Sequence, residues 1–187
     1  MKKIIVILVV IVILVIGGSF AYKSFMSPDN SDDKSQESIE LTKNGITMLV
    51  PGDWVEANSG SNTSIMSAAD PNSKNSLDFC DVNVNIEKKT SYNSLSYEVK
   101  HNYDSLSRDS NYEMLYDGNV SIAGNEGMEV GYLSSKSGSI KQHKAIWFKQ
   151  GDDLYVILCT APQSKFAEEE STFDFIINNL KFNNSTN

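Results

Sequence analysis

The side chains best suited to chemistry in this sequence are two cysteines, Cys80 and Cys159, and two histidines, His101 and His143. A zinc site needs three or four ligands at workable spacing, and neither a His-x-x-x-His nor a Cys-x-x-Cys stretch occurs. His101 falls mid-way along a helix-like segment and His143 in a strand flanked by lysines, so both are expected on the surface. Serines are abundant, but no Gly-x-Ser-x-Gly elbow marks a nucleophile. Calcium takes six or more oxygens from a shaped loop. Asp152-Asp153 and Glu168-Glu169-Glu170 lack that spacing, so the pair is expected in a hairpin turn and the triplet at a solvated helix start. Asn62, Asn119, Asn183 and Asn184 open glycosylation sequons, which matter only if the host modifies its surface proteins. No catalytic residue, cofactor site or metal site is assigned, and the chain is expected not to be an enzyme.

The cysteines leave two readings open. Alternation in the surrounding segments turns both thiols toward a core. Outside a membrane a disulfide is chemically allowed, and closing a loop of about 80 residues would add roughly 4 kcal/mol by the chain-entropy estimate. Two buried free thiols, acting as small apolar groups, fit the same pattern.

The elements that would position these residues can be read from periodicity. Ile46 to Val50 is a short strand broken by Pro51-Gly52. Thr63 to Ala69 is a weaker strand. In Leu77 to Ile86, Cys80, Val82, Val84 and Ile86 alternate with polar or outward positions, the period of a half-buried strand. Leu95, Val99, Tyr103 and Leu106 then recur at helical spacing, which predicts a helix over 94–107 capped by Ser91, Asn93 or Ser94. Met114 to Ile122 reads as a strand interrupted at Asp117-Gly118-Asn119. Gly127 to Ser134, Ile140 to Lys149 and Leu154 to Thr160 follow as an antiparallel meander with tight turns at Ser137-Gly138 and Gly151 to Asp153. Pro162 ends the sheet. A closing helix lines up Phe166, Phe173, Ile176, Ile177 and Leu180 on one side. The order of elements indicates an α+β fold.

The net charge of the 187-residue chain is -8. Such a surface repels phosphate backbones, so no nucleic-acid partner is expected. Lys2 and Lys3 precede a run from Ile4 to Tyr22 that carries no charge. Its length is close to the ~20 residues that span a bilayer, and it has no polar face. Lysines before the run place the N-terminus in the cytoplasm. Ser19-Phe20-Ala21 is an acceptable cleavage site, so a removed signal peptide is the rival to a retained anchor. No cysteine follows to make a lipoprotein. The expected organisation is a cytoplasmic start at 1–3, a transmembrane anchor at 4–22, a disordered linker at 23–39, a globular domain at 40–184 and a tail at 185–187.

Gly45-Ile46-Thr47-Met48-Leu49-Val50-Pro51-Gly52-Asp53-Trp54 resembles the opening motif of PsbP-like domains, where a Gly-Ile-x-aromatic strand runs into Pro-x-x-Trp. Phe173 to Phe182, with paired Ile176 and Ile177 followed by Leu180 and Phe182, resembles the family's closing helix and tail. Met48 stands where an aromatic is common, and Asn179 where a serine is common. The resemblance covers residues 40 to 184. It implies an α-β-α sandwich around a central antiparallel sheet, and mostly non-enzymatic roles. Plant PsbP is an extrinsic subunit of a photosystem, and a distant relative binds the GTPase Ran. No functional residue carries over, because the metal-handling positions of the plant protein match nothing here. A fold does not by itself specify a function.

The chain is therefore expected to be a membrane-tethered, extracytoplasmic binding or accessory module for a membrane or cell-envelope complex, with an unidentified protein partner. The alternative is an extracytoplasmic carrier of a small ligand or metal, with Tyr92, Tyr97, Tyr103, Tyr112 and Tyr116 lining a pocket.

Overall fold

A computed structural model describes residues 37–136 and 138–182. The expected anchor at 4–22, nearly all of the linker and the tail lie outside the described residues. Among the described residues no helix is long and apolar enough to cross a membrane.

The strands are β1 (Ser38–Lys43), β2 (Ile46–Pro51), β3 (Val55–Glu56), β4 (Ser64–Ala69) and β5 (Asn83–Thr90). Helix α1 (Leu95–Leu106) comes next, then β6 (Tyr112–Ile122), β7 (Asn125–Lys136), β8 (Ser139–Gln150) and β9 (Asp153–Pro162). Helix α2 (Gln163–Asn178) and β10 (Lys181–Phe182) close the chain. Seven strands form a central sheet in the order β3-β4-β5-β9-β8-β7-β6, and β1-β2-β10 form a separate three-stranded sheet. Every pairing is antiparallel.

Two cores sit on opposite faces of the central sheet. On one, Phe166, Phe173, Ile176 and Ile177 of α2 and Met48 and Val50 of β2 pack on Val84, Ile86, Ile146, Phe148 and Ile157. On the other, Val99 and Tyr103 of α1 pack on Val130, Tyr132, Trp147 and Val156. The strict alternation of side chains along a strand makes this division possible. The expected α-β-α layering holds, with one addition: α2 shares its layer with the small sheet.

Turn chemistry sets the register. Asn44 (φ 51°) and Gly45 (φ 76°) join β1 to β2, pairing Lys43 with Ile46. A two-residue hairpin of this hand needs positive φ at both positions, which is why Asn-Gly recurs there. Ala123 (φ 47°) and Gly124 (φ 78°) do the same between β6 and β7. Asn125 supports that turn by donating from its amide to the Ile122 and Ala123 carbonyls. Helix α1 starts at the expected cap, since Ser94 Oγ accepts from the Tyr97 amide at 3.2 Å.

Several expectations are corrected. Ser38 and Ile39 belong to β1 rather than to the linker, because they pair with Pro51 and Val50. Asp117-Gly118-Asn119 does not interrupt β6: these residues pair with Val130, Glu129 and Met128. The irregularity lies instead between Met114 and Tyr116, where the register shifts. Ladder hydrogen bonds from β7 override the local turn preference of Asp-Gly-Asn. Residues 77–81 turn before β5 begins, with Asn75 accepting the Leu77 and Phe79 amides. The meander has four strands, β6 to β9, rather than three.

Phe173 is fully buried between α2 and the sheet. Phe173→Ala should lower unfolding free energy by about 3–5 kcal/mol, read from denaturant titration of the purified protein. A loss under 1 kcal/mol would mean that α2 does not anchor this core.

Candidate functional site

The α1 face of the sheet carries most of the buried polar groups. His143 sits on β8 between β7 and β9, opposite Tyr132 and Thr160. Its Nε2 lies 2.7 Å from Ser134 Oγ and its Nδ1 2.9 Å from Thr160 Oγ1. The ring stacks on Tyr132 with centroids 4.5 Å apart. Only 4% of His143 is exposed, so the expectation of a surface histidine is wrong for it. A central strand position decides the matter, and flanking lysines do not. His101 is exposed and stacks on Tyr97.

A serine against an imidazole invites comparison with a nucleophile and its base. Here the third group is a threonine, which cannot stabilise an imidazolium as a carboxylate does. Burial, then the charge of Lys141, hold the imidazole down at about 3. A base that weak does not draw a proton from serine at neutral pH. In the neutral ring one nitrogen donates and the other accepts, so the triplet ties β7, β8 and β9 together.

Two more polar networks finish this face. Asn85 Oδ1 accepts from Ser64 Oγ and Ser67 Oγ, each at 2.6 Å. Its amide donates to Glu87, which also accepts from Thr63 Oγ1 at 2.7 Å. At the start of α1, Glu98 accepts from Lys89 at 2.8 Å, Ser91 at 2.6 Å and Asn93 at 2.8 Å. Burial works to raise the Glu98 pKa, but those donors outweigh it and hold the carboxyl at about 2. Lys149 caps the Ser91 and Asn93 carbonyls, which ties the same loop to β8.

On the α2 face, Lys144 is buried beside Asp174 at 2.9 Å and Glu170 at 3.5 Å. Burial opposes its charge. The hydrogen bond to Asp174 and the nearby Glu129 outweigh burial and push its pKa up. Glu170 thus belongs to an ion pair fastening α2 to β8. Asp153 pairs with Lys88 at 2.7 Å at the β8–β9 turn. Among the described residues no group of three or more His, Cys, Asp and Glu is placed to hold a metal.

The central sheet ends on β6, and this edge is the candidate interaction site. All seven residues from Glu113 to Asn119 are exposed. They include three consecutive large apolar side chains, Met114 at 45%, Leu115 at 42% and Tyr116 at 39% exposure. Register assigns their faces. Met114 and Asp117 lie opposite Tyr132 and Val130, on the α1 face. Glu113 and Tyr116 lie opposite Leu133 and Gly131, on the α2 face. The Tyr116 ring covers Gly131 so closely that a Cβ there would stand 2.1 Å from it. Burial, then Glu129, push the Tyr116 phenol up to about 12.

The five tyrosines considered as pocket lining do not converge. Tyr103 and Tyr112 pack with Tyr132 on the α1 face. Tyr92 and Tyr97 are exposed, and Tyr116 points to the other face. Nothing local in the sequence marks Ser134 or Thr160 as partners of His143, because their meeting depends on strand register. The consecutive Met114-Leu115-Tyr116 in a strand segment was the available signal for the edge.

A family model described as PsbP-like protein matches residues 4–182. The chain belongs to the PsbP-like family. Among solved structures, the cyanobacterial PsbP of Synechocystis is similar with a TM-score of 0.56 at 13% identity, over 83% of this chain and 99% of that one. LpqN of Mycobacterium tuberculosis, a protein involved in cell envelope biogenesis, is similar with a TM-score of 0.54 at 13% identity, over 78% and 90%. None of the curated proteins compared matches.

The fold brings the two ends of the PsbP-like motif together. Gly45 makes the β1–β2 turn. The Pro51 carbonyl accepts from the Trp54 amide at 2.9 Å, which turns Trp54 into the core. Ile176, Ile177 and Leu180 are buried in the same core. Phe182 pairs with Ile46 across β10 and β2 and packs edge-on against Phe148 and Tyr155.

Cys80 and Cys159 are buried and free. Cys159 lies opposite Val84, and Cys80 bridges to Lys74 four positions before Val84. Both thiols are thus unbridged in the structure, the second of the two readings. Burial pushes both thiols up.

Iodoacetamide should leave Cys159 unlabelled in the native protein and add two carbamidomethyl groups after denaturation without reductant. Intact mass reads the result, and an unlabelled denatured chain would restore the disulfide. A second expectation concerns pH. The unfolded chain protonates His143 near 6.5 and the folded chain only near 3, so its contribution is complete above pH 6.5 and drains as pH falls. Glu98 adds loss only below about 4.5. Between pH 6.5 and 5, stability should therefore fall by up to about 1.4 kcal/mol per unit. That slope should vanish in His143→Phe, which should also be less stable at pH 7 because Ser134 and Thr160 lose their partner. Urea titrations at stepped pH measure both. An unchanged slope in the variant would assign the acid sensitivity elsewhere.

Proposed function

We propose that this PsbP-like protein is a membrane-tethered, extracytoplasmic, non-enzymatic accessory module that docks onto a protein of a membrane or envelope complex. The observation that carries the reading is β6, an edge strand with seven successive exposed residues and three adjacent apolar side chains. Exposed strand edges of this length present unpaired backbone donors and acceptors, and proteins ordinarily blunt or cover them. A patch that also exposes Met, Leu and Tyr side chains matches the composition of interaction cores. The uncharged run before the linker supports the tether, and the fold likeness to LpqN fits an envelope setting. The Ser134–His143–Thr160 triplet, with its weakly basic ring, supports a non-catalytic role.

Crosslinking in native membranes, with purification of the tagged full-length chain and mass spectrometry, tests the reading. The control carries the same domain on an unrelated transmembrane anchor. The same partner should be recovered with both, and a membrane-impermeant biotin ester should label the domain on intact cells. If nothing is enriched over untagged cells, the accessory role is wrong. If the ester labels the domain only after lysis, the extracytoplasmic placement is wrong.

A further inference from the structure

We propose that β6 takes up an extended, cationic segment of a partner protein as an added strand, and that Glu113 and Asp117 select for its charge. This rests on the binding-module reading of the same edge and specifies the partner's chemistry.

Apart from the register shift between Met114 and Tyr116, the edge lacks the usual blocks to pairing. From Tyr112 to Ile122 there is no proline and no lysine, the two residues that most often discourage strand addition. The other end of the sheet, β3, is only two residues long. An added strand would gain main-chain hydrogen bonds from β6 and side-chain contacts from Met114, Leu115 and Tyr116, the recognition mode of strand-adding domains.

The charge of the edge specifies the occupant. Asp117 shares one face with Met114, and Glu113 shares the other with Tyr116. Behind Tyr116 stand Glu129 and Glu170. Lys144 is already engaged by Glu170 and Asp174. Among the described residues neither Glu113 nor Asp117 takes part in an ion pair, so an incoming strand meets an acid on either face. Lys or Arg at alternating positions, which share one face of a strand, would answer whichever acid that face meets. A second copy of this chain is a poor occupant. Antiparallel pairing about Leu115 would set Glu113 against Asp117, and each copy carries a net charge of -8. Like charges directly opposite are destabilising.

The test uses the full chain in neutral-headgroup micelles and fluorescent seven-residue probes. One probe alternates Lys with Val, one alternates Glu with Val, and one is the Lys-Val sequence N-methylated at alternate amides so that it cannot pair along one edge. Anisotropy should show the Lys-Val probe binding at least about 10-fold tighter than the Glu-Val probe at low salt, and weakening as salt rises. The double substitution Glu113→Lys with Asp117→Lys should invert that order, and N-methylation should abolish binding. Both substituted positions are exposed, and thermal melts confirm that the variant folds. Binding without charge preference, binding that survives N-methylation, or dimerisation of the chain that the double substitution disrupts would each overturn the proposal. So would failure of every probe to bind. In that last case membrane crosslinking still decides separately whether the chain is an accessory module at all.

Discussion

The structure depends on one closure: the two ends of the folded domain must meet over the same face of the central sheet. Strand β2 near the start and β10 at the end pair with each other, and α2 lies between them in sequence. Together they bury Met48, Val50, Phe173 and Ile176 against Phe148 and Ile157. Without this lid the sheet would expose a continuous apolar face. Its pairings are among the most distant in the sequence, so they form at the largest loop-closure entropy. Dense aromatic packing of Phe182 on Phe148 and Tyr155 offsets part of that entropy.

With one face sealed by apolar contact, the other face could take a different composition. There the helix covers only the region around Trp147 and Tyr132, and the remaining floor is polar. A buried polar floor is tolerable only when its groups are satisfied. Asn85, Glu87, His143 and Thr160 each have partners. Trp147 donates to the Tyr103 hydroxyl at 3.1 Å, linking α1 to β8. The exception among the described residues is the Tyr112 hydroxyl, buried without a partner at the first residue of β6. It marks where α1, β6 and β7 meet least perfectly. Among the described residues the sheet is thus internally satisfied except at the Tyr112 hydroxyl, where its last strand begins.

Much of this was legible in the sequence, and the exceptions have a common cause. Helical spacing placed Val99 and Tyr103 on the buried side of α1, and the Pro51 to Trp54 turn did bring the indole inward. Alternation correctly turned Val82, Val84 and Ile86 toward one core, whereas Cys80 lies before the strand begins. Features set by distant pairing were not legible. Strand β10 is two residues long and has no periodicity to detect. Asp117-Gly118-Asn119 carries every local mark of a turn, yet β7 holds it extended. His143 looked solvated because its neighbours are lysines, whereas strand order decides burial. Of the candidate site, the apolar triplet could be seen but not its place. Whether a strand is central or at an edge is a property of the whole sheet.

That placement also explains why β6 tolerates a sequence that would be hazardous elsewhere. A flat apolar edge invites pairing with copies of itself. Here the register shift at Leu115 twists the strand, since a bulge strengthens local twist, and acids flank the apolar triplet on both sides. Lysine gatekeepers would serve equally well against self-association, because any single sign repels its own copy. The choice of acid over lysine therefore has no consequence for the isolated chain and becomes meaningful only toward a second molecule. Under the proposed strand addition, acidic flanks disfavour copies of this acidic protein and favour a basic strand. The acids that disfavour self-pairing at this edge would thus also set the preference proposed for it.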